Sequence, residues 1–354
     1  MSTWQLNAKG TLWLVSAVAF AGCHSPTTPE PVDILVVEPA ALEHVPEKPV
    51  KVVEAASTWQ PNARRQELAR KLAAEPGWNL YESPHYFIAS NVDDPLLIGG
   101  AKNRLEAEYA RLVEEFPPAV TSLGQERPLV RIYESHQAFT NAGGQKGTSG
   151  FWNAPQNTLV IYDGKNEKGR SQETWSALQH VVVHEYFDKV LGLDPVPAWL
   201  LYGVSAQFES LKYLPGISGP GALHFPAESD RWDHLATETA GTYPPPLSRF
   251  LRFSRGEFHG INEFGSGGYR NLILAWSFVH FLRDPLPDEK GSVEIEADRE
   301  WRAGFLAHYV RALEGGNSQE EALQTALGAV ELAALDAAWK AWIEAKIGRE
   351  LGDG

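Results

Sequence analysis

The sequence predicts an α+β protein: a small mixed sheet packed on one central helix, followed by a helical C-terminal subdomain. Two observations carry this. Short β-branched and aromatic runs alternate with helical segments through the first part of the folded region, and from Gln172 onward the chain is mostly helical. Composition agrees with a globular chain: of 354 residues, 43% are apolar and 21% charged. The formal charge is −14, from 45 acidic and 31 basic side chains. That balance excludes a nucleic acid partner, which needs a basic footprint. With Cys23 as its single cysteine, the chain has no internal disulfide framework and no four-cysteine metal site.

The N-terminal organisation is legible from hydropathy. A short polar start ending at Lys9 precedes Thr11–Gly22, which is apolar or small throughout. At 12 residues that run is too short to cross a bilayer core of ~30 Å as a helix, and it reads as the apolar part of a secretory signal. It ends Phe20-Ala21-Gly22-Cys23, which resembles a bacterial lipobox with Phe20 where Leu is usual. The resemblance implies a lipoprotein signal peptide over 1–22, lipidation at Cys23, a lipid anchor in the membrane and a periplasm-facing place in the bacterial cell envelope. Residues 23–60 follow as a Pro-rich tether, with six prolines between His24 and Gln60 (Pro26, Pro29, Pro31, Pro39, Pro46 and Pro49).

The folded part, 61–350, divides by pattern into an α+β lobe (61–212), a long irregular region (213–266) and a helical subdomain (267–350). Asn62–Ala74 is helical, with Leu68 and Leu72 four apart. Tyr86–Ala89 is a strand. Leu105, Tyr109, Leu112 and Phe116 form one stripe of a helix over Ala101–Phe116, stopped by Pro117-Pro118. Leu129–Tyr133 and Thr158–Tyr162 are strands, joined through a glycine-rich connection over Asn141–Gly150. Trp175–Val190 is a helix, with Ser171 as its expected N-cap and Gly192 near its end. Pro197 opens the next, to about Lys212. Tyr269–Leu282, Ala297–Leu313 and Leu332–Ile347 are helices, and Ser318 with Glu321 makes a capping box before another.

Two segments carry chemistry. The first is Gln179-His180-Val181-Val182-Val183-His184-Glu185-Tyr186-Phe187-Asp188. His180, His184 and Asp188 recur every four residues and are expected on one helix face. The second is Pro197-Ala198-Trp199-Leu200-Leu201-Tyr202-Gly203-Val204-Ser205-Ala206-Gln207-Phe208-Glu209. Together they resemble the HExxH and PxWLxEGxAxxxE helices of the peptidase-MA-like gluzincins, and in particular bacterial envelope members grouped as a domain of unknown function. The likeness extends over most of 80–347, through Gly150-Phe151-Trp152, Leu159-Val160-Ile161-Tyr162, Ala275-Trp276-Ser277-Phe278-Val279-His280-Phe281-Leu282 and Ala334-Leu335-Asp336 with Trp339-Lys340.

The resemblance implies a zinc metallopeptidase fold, with Glu185 as general base and His184 as first zinc ligand. It places Asp188 at the second ligand position, where the family has His, and Tyr202 at the third, where it has Glu. Asp ligates zinc, whereas a phenol with pKa ~10 is a poor ligand at neutral pH. A relocated His180/His184 site is a further option. The expected function is therefore a pseudo-metallopeptidase acting as an envelope binding or scaffold protein without cofactor. In it Tyr202 fills the ion's space and its hydroxyl bonds to His184, Glu185 or Asp188. The alternative is an active zinc-dependent peptidase with an altered His/Asp site. A peptide or envelope protein is the expected partner, and Trp232, Tyr243 and Pro244-Pro245-Pro246 in the irregular region are a second candidate binding surface.

Overall fold

The computed structural model describes residues 61–119, 126–145, 148–166, 169–170, 172–216, 221–224, 231–240, 243–260, 267–283 and 294–348, all within the compact unit Glu54–Gly354. The signal peptide, Cys23, the tether over 23–60 and Ser171 lie outside the described residues.

The first part is a five-stranded mixed sheet with helices on both faces. Its elements are α1 (Pro61–Leu72), β1 (Asn79–Glu82), β2 (Phe87–Ser90), α2 (Pro95–Glu115), β3 (Leu129–Tyr133), α3 (His136–Asn141), β4 (Gly150–Asn153) and β5 (Thr158–Tyr162). The strand order is β1-β2-β3-β5-β4; β2, β3 and β5 run parallel, and β1 and β4 pair antiparallel at the two edges. The parallel strands are buried on both faces, so their residues sort by alternation. Ile88, Val130, Ile132, Leu159 and Ile161 point into the main core, while Phe87, Ala89 and Leu129 meet Leu68 and Leu72 of α1. Val160 and Tyr162 pack on Phe139 of α3.

After the short hairpin strands β6 (Lys165–Asn166) and β7 (Gly169–Arg170) come α4 (Gln172–Glu185) and α5 (Ala198–Glu209). The hairpin β8 (Lys212–Leu214) and β9 (Ala222–His224) leads to α6 (Arg231–Glu238), α7 (Leu247–Phe250), α8 (Arg255–Phe258), α9 (Gly267–Arg283), α10 (Glu294–Glu314), α11 (Gln319–Leu327) and α12 (Leu332–Ile347). The fold is thus α+β, a mixed sheet followed by a mostly helical C-terminal region. The expected capping box is present: Ser318 Oγ accepts from Glu321 N–H at 3.3 Å, and the Glu321 carboxylate accepts from Ser318 N–H at 2.8 Å.

Several expectations need correction. The helix expected from Ala101 begins at Pro95, capped by Asp94, whose carboxylate accepts from Leu96 N–H at 2.9 Å. Gly99-Gly100 hides that first turn from a propensity reading, and Gly100 is there for packing: a Cβ on it would stand 2.9 Å from the Trp175 ring. The helix expected through Val190 is α-helical only to Glu185, and Tyr186–Val190 form a π turn closed by Leu191 N–H on the Tyr186 carbonyl at 3.0 Å. The helix from Pro197 stops at Glu209, and Lys212 belongs to β8. The glycine-rich connection is preceded by α3 and ends in strand β4. The region 213–266 is not simply irregular: it holds a hairpin and three short helices. Trp232 there is half-buried against Trp276, His280 and Trp342, so it belongs to the core's aromatic packing rather than to a free binding face.

Candidate functional site

Helices α4 and α5 lie side by side, and α5 is held on its far side by α9. The α5–α9 approach is close because residue 203 is glycine: a Cβ there would stand 2.6 Å from Val279 Cγ2 and 2.7 Å from the Ala275 carbonyl oxygen. This contact fixes how far Tyr202, the preceding residue, reaches toward α4.

The face of α4 toward α5 presents His180 and His184, their ring centroids 4.7 Å apart. Tyr202 stands edge-on to His184 at 5.4 Å and tilted to His180 at 6.2 Å. From α8, Phe258 stacks on Tyr202 at 5.0 Å, and His259 Nε2 lies 2.8 Å from the Tyr202 hydroxyl. The hydroxyl's partner is therefore His259, not the expected His184, Glu185 or Asp188. His184 Nε2 is enclosed and has no hydrogen-bond partner among the described residues. Desolvation, then the charges of His180, Arg255 and His259, hold the His184 imidazole well below its ordinary pKa.

His180 Nδ1 bonds the Glu209 carboxylate, which also receives Arg231. Burial pushes the Glu209 carboxyl up, but His180 and Arg231 outweigh it and leave the group below the usual carboxylate range. Burial raises the Tyr202 phenol, with Arg255 opposing. His180, Tyr202, Glu209 and His259 line a cavity of about 570 Å³ together with Ser149 and Glu173. That volume is in the usual range for a small-ligand site.

The other expected site residues face elsewhere. Glu185 is 2% exposed, and its Oε2 accepts from the Tyr86 hydroxyl at 3.3 Å. It lines a separate cavity of about 80 Å³ with His85, Tyr109 and Lys189. Burial raises its pKa to about 8, with Tyr86 and Lys189 opposing. Asp188 does not join the histidines: its carboxylate accepts from Trp152 Nε1 of β4 at 2.6 Å. Among the described residues no group of three or more His, Cys, Asp or Glu is placed to hold a metal ion. The donor set does not fit zinc: the third position is a protonated phenol bonded to His259, the second is engaged by an indole, and His184 Nε2 is enclosed.

Sequence reasoning singles out His180, His184 and Tyr202, which do come together. It misses Arg255 and His259. A local signal for their helix exists in Ser254 and Glu257, which form a capping box with Ser254 N–H to the Glu257 carboxylate at 2.8 Å. Scanned against models of known protein families the chain matches none, and a search of curated proteins likewise returns no match.

Proposed function

We propose that this protein is a lipid-anchored component of the bacterial envelope, built on a gluzincin-type scaffold, that has given up zinc peptidase chemistry and binds peptide in the cavity between α4, α5 and α8. The observation that carries the reading is Tyr202: it stands at the family's third ligand position with its hydroxyl on His259, 2.8 Å away, and its ring against His184. Glu185 adds support. A general base must sit within reach of the water it activates, yet this carboxyl opens on a different cavity and, with a pKa of about 8, is mostly protonated at neutral pH. The lipobox-like Phe20-Ala21-Gly22-Cys23 supports the envelope placement.

Elemental analysis of the detergent-solubilised full-length protein, dialysed against zinc-containing buffer, tests it together with a peptidase assay. Substoichiometric zinc and no cleavage are expected. Stoichiometric zinc with a peptidase activity that Glu185→Gln abolishes would establish the active zinc-dependent enzyme instead.

A further inference from the structure

The Tyr202–His259 bond joins two elements far apart in the chain, and one helix packs against both. α9 meets α5 at Gly203, where Val279 and the Ala275 carbonyl leave no room for a methyl group. It meets the α8 turn at Gly268 and Asn271. A Cβ on Gly268 would stand 2.9 Å from the His259 carbonyl oxygen. Asn271 is 7% exposed, and its Nδ2 donates to the Phe258 carbonyl at 2.8 Å and to the Glu257 carbonyl at 3.4 Å. Residues 268, 271, 275 and 279 follow at intervals of three and four, so they share one face of α9. The α8 turn depends on such support. It has four residues, too few to hold a helical shape alone, and the carbonyls at a helix end need donors from elsewhere. The Phe258 carbonyl also belongs to the planar peptide unit that joins Phe258 to His259, so a donor on it orients both residues. These are the two that α8 brings to the site: Phe258 stacks on the Tyr202 ring, and His259 Nε2 lies 2.8 Å from its hydroxyl.

We propose that Asn271 is a positioning residue of the site and that α9 is its gauge. α9 holds the Phe258–His259 peptide unit through Asn271 and the α5 backbone at Gly203. It thereby sets the Tyr202–His259 distance and the width of the cavity of about 570 Å³ that Tyr202, Phe258 and His259 line. Asn271 touches no ligand in this role and acts through His259. The role concerns how the cavity is shaped, so it stands apart from what the cavity binds.

The test is nitrogen NMR of the full-length detergent-solubilised protein labelled at histidine, with the His259 signals assigned by their loss in His259→Gln. Tyr202→Phe supplies the signature of the broken bond. Asn271→Leu keeps the bulk and removes the donor. Gly268→Ala presses on the His259 backbone from the same helix, and it carries the test should Asn271→Leu not fold. Ser277→Ala is the control, because Ser277 is fully buried on α9 and accepts from Trp339 Nε1 of α12 at 3.2 Å. Asn271→Leu and Gly268→Ala are each expected to move the His259 signals by at least half of the displacement seen in Tyr202→Phe, and Ser277→Ala to leave them in place. Wild-type His259 signals in folded Asn271→Leu would overturn the role of Asn271, and in Gly268→Ala that of α9. An equal displacement in Ser277→Ala would reduce Asn271 to general packing and overturn its positioning role. Unchanged His259 signals in Tyr202→Phe would overturn the proposal at its start, since there would be no bond to position.

Discussion

At the scale of single residues, two buried acids set how the protein responds to pH. Glu185 is 2% exposed with a pKa of about 8, and Glu108 of α2 is fully buried, with no hydrogen-bond partner for either carboxyl oxygen among the described residues and its pKa pushed well above the ordinary value by desolvation, against the pull of Arg104. Glu185 is mostly protonated in the fold at neutral pH and ionised in the unfolded chain, and Glu108 is shifted in the same direction. The unfolded state therefore binds fewer protons, and stability falls as pH rises. For Glu185 the stabilising contribution is complete below about pH 4.5 and declines until about pH 8, above which it is flat. The loss is on the order of a few kcal/mol, since a tenfold change in proton affinity is worth ~1.4 kcal/mol. Glu185→Gln removes this part of the slope. Its urea midpoint is expected to lie at or below that of wild type at pH 5 and above it at pH 8.5. Parallel pH profiles for the two proteins would show that Glu185 ionises freely in the fold.

The same scale explains what the sequence reveals of the site. His180 and His184 meet because a four-residue spacing on one helix leaves little choice, and that is readable directly. Tyr202 joins them because its helix follows after a short connection. Arg255 and His259 are illegible because nothing local links them to α4; closure of the chain over 57 residues brings His259 to Tyr202. Asp188 is misplaced by sequence reasoning for a different reason. Helical spacing counts only backbone position, and the indole of Trp152, on an edge strand, takes its carboxylate.

At the scale of elements, the α5–α9 contact is the joint that positions the site. Gly203→Ala would put a methyl group into the space held by Val279 and the Ala275 carbonyl oxygen. Backbone cannot yield as a flexible side chain does, so the two helices must separate. A loss of about 1–3 kcal/mol is expected from chemical denaturation, with weaker peptide binding because Tyr202 shifts with its helix. Wild-type stability for this variant would mean that α9 slides without cost. The elements are unevenly legible. α12 and the Ser318 capping box follow from periodicity and cap chemistry alone. The start of α2 does not, because a Gly-Gly pair inside a helix contradicts propensity and is justified only by the Trp175 ring that crosses it. The π turn after Glu185 leaves no trace in composition.

At the scale of the whole molecule, the sheet supplies a floor and the C-terminal helices supply packing, but the site is made where the two parts meet. Its residues come from α4 and α5 on one side and from the α8 turn on the other. The N-terminal reading belongs to this scale too. With Cys23 lipidated, Cys23→Ser is expected to move the protein from the membrane fraction to the soluble envelope fraction and to abolish palmitate labelling. Continued membrane association of that variant would remove the lipid anchor from the proposed function. No described helix is long and apolar enough to cross a membrane.

The Tyr202–His259 pair also bears on what position 202 can accept. The Tyr202 ring is sandwiched: Phe258 stacks on it at 5.0 Å and the His184 ring meets it at 5.4 Å, while its hydroxyl reaches His259 Nε2 at 2.8 Å. A shorter or charged side chain there would leave Phe258 without its stacking partner and the imidazole without its neutral one, so a change at this one position disturbs two elements at once.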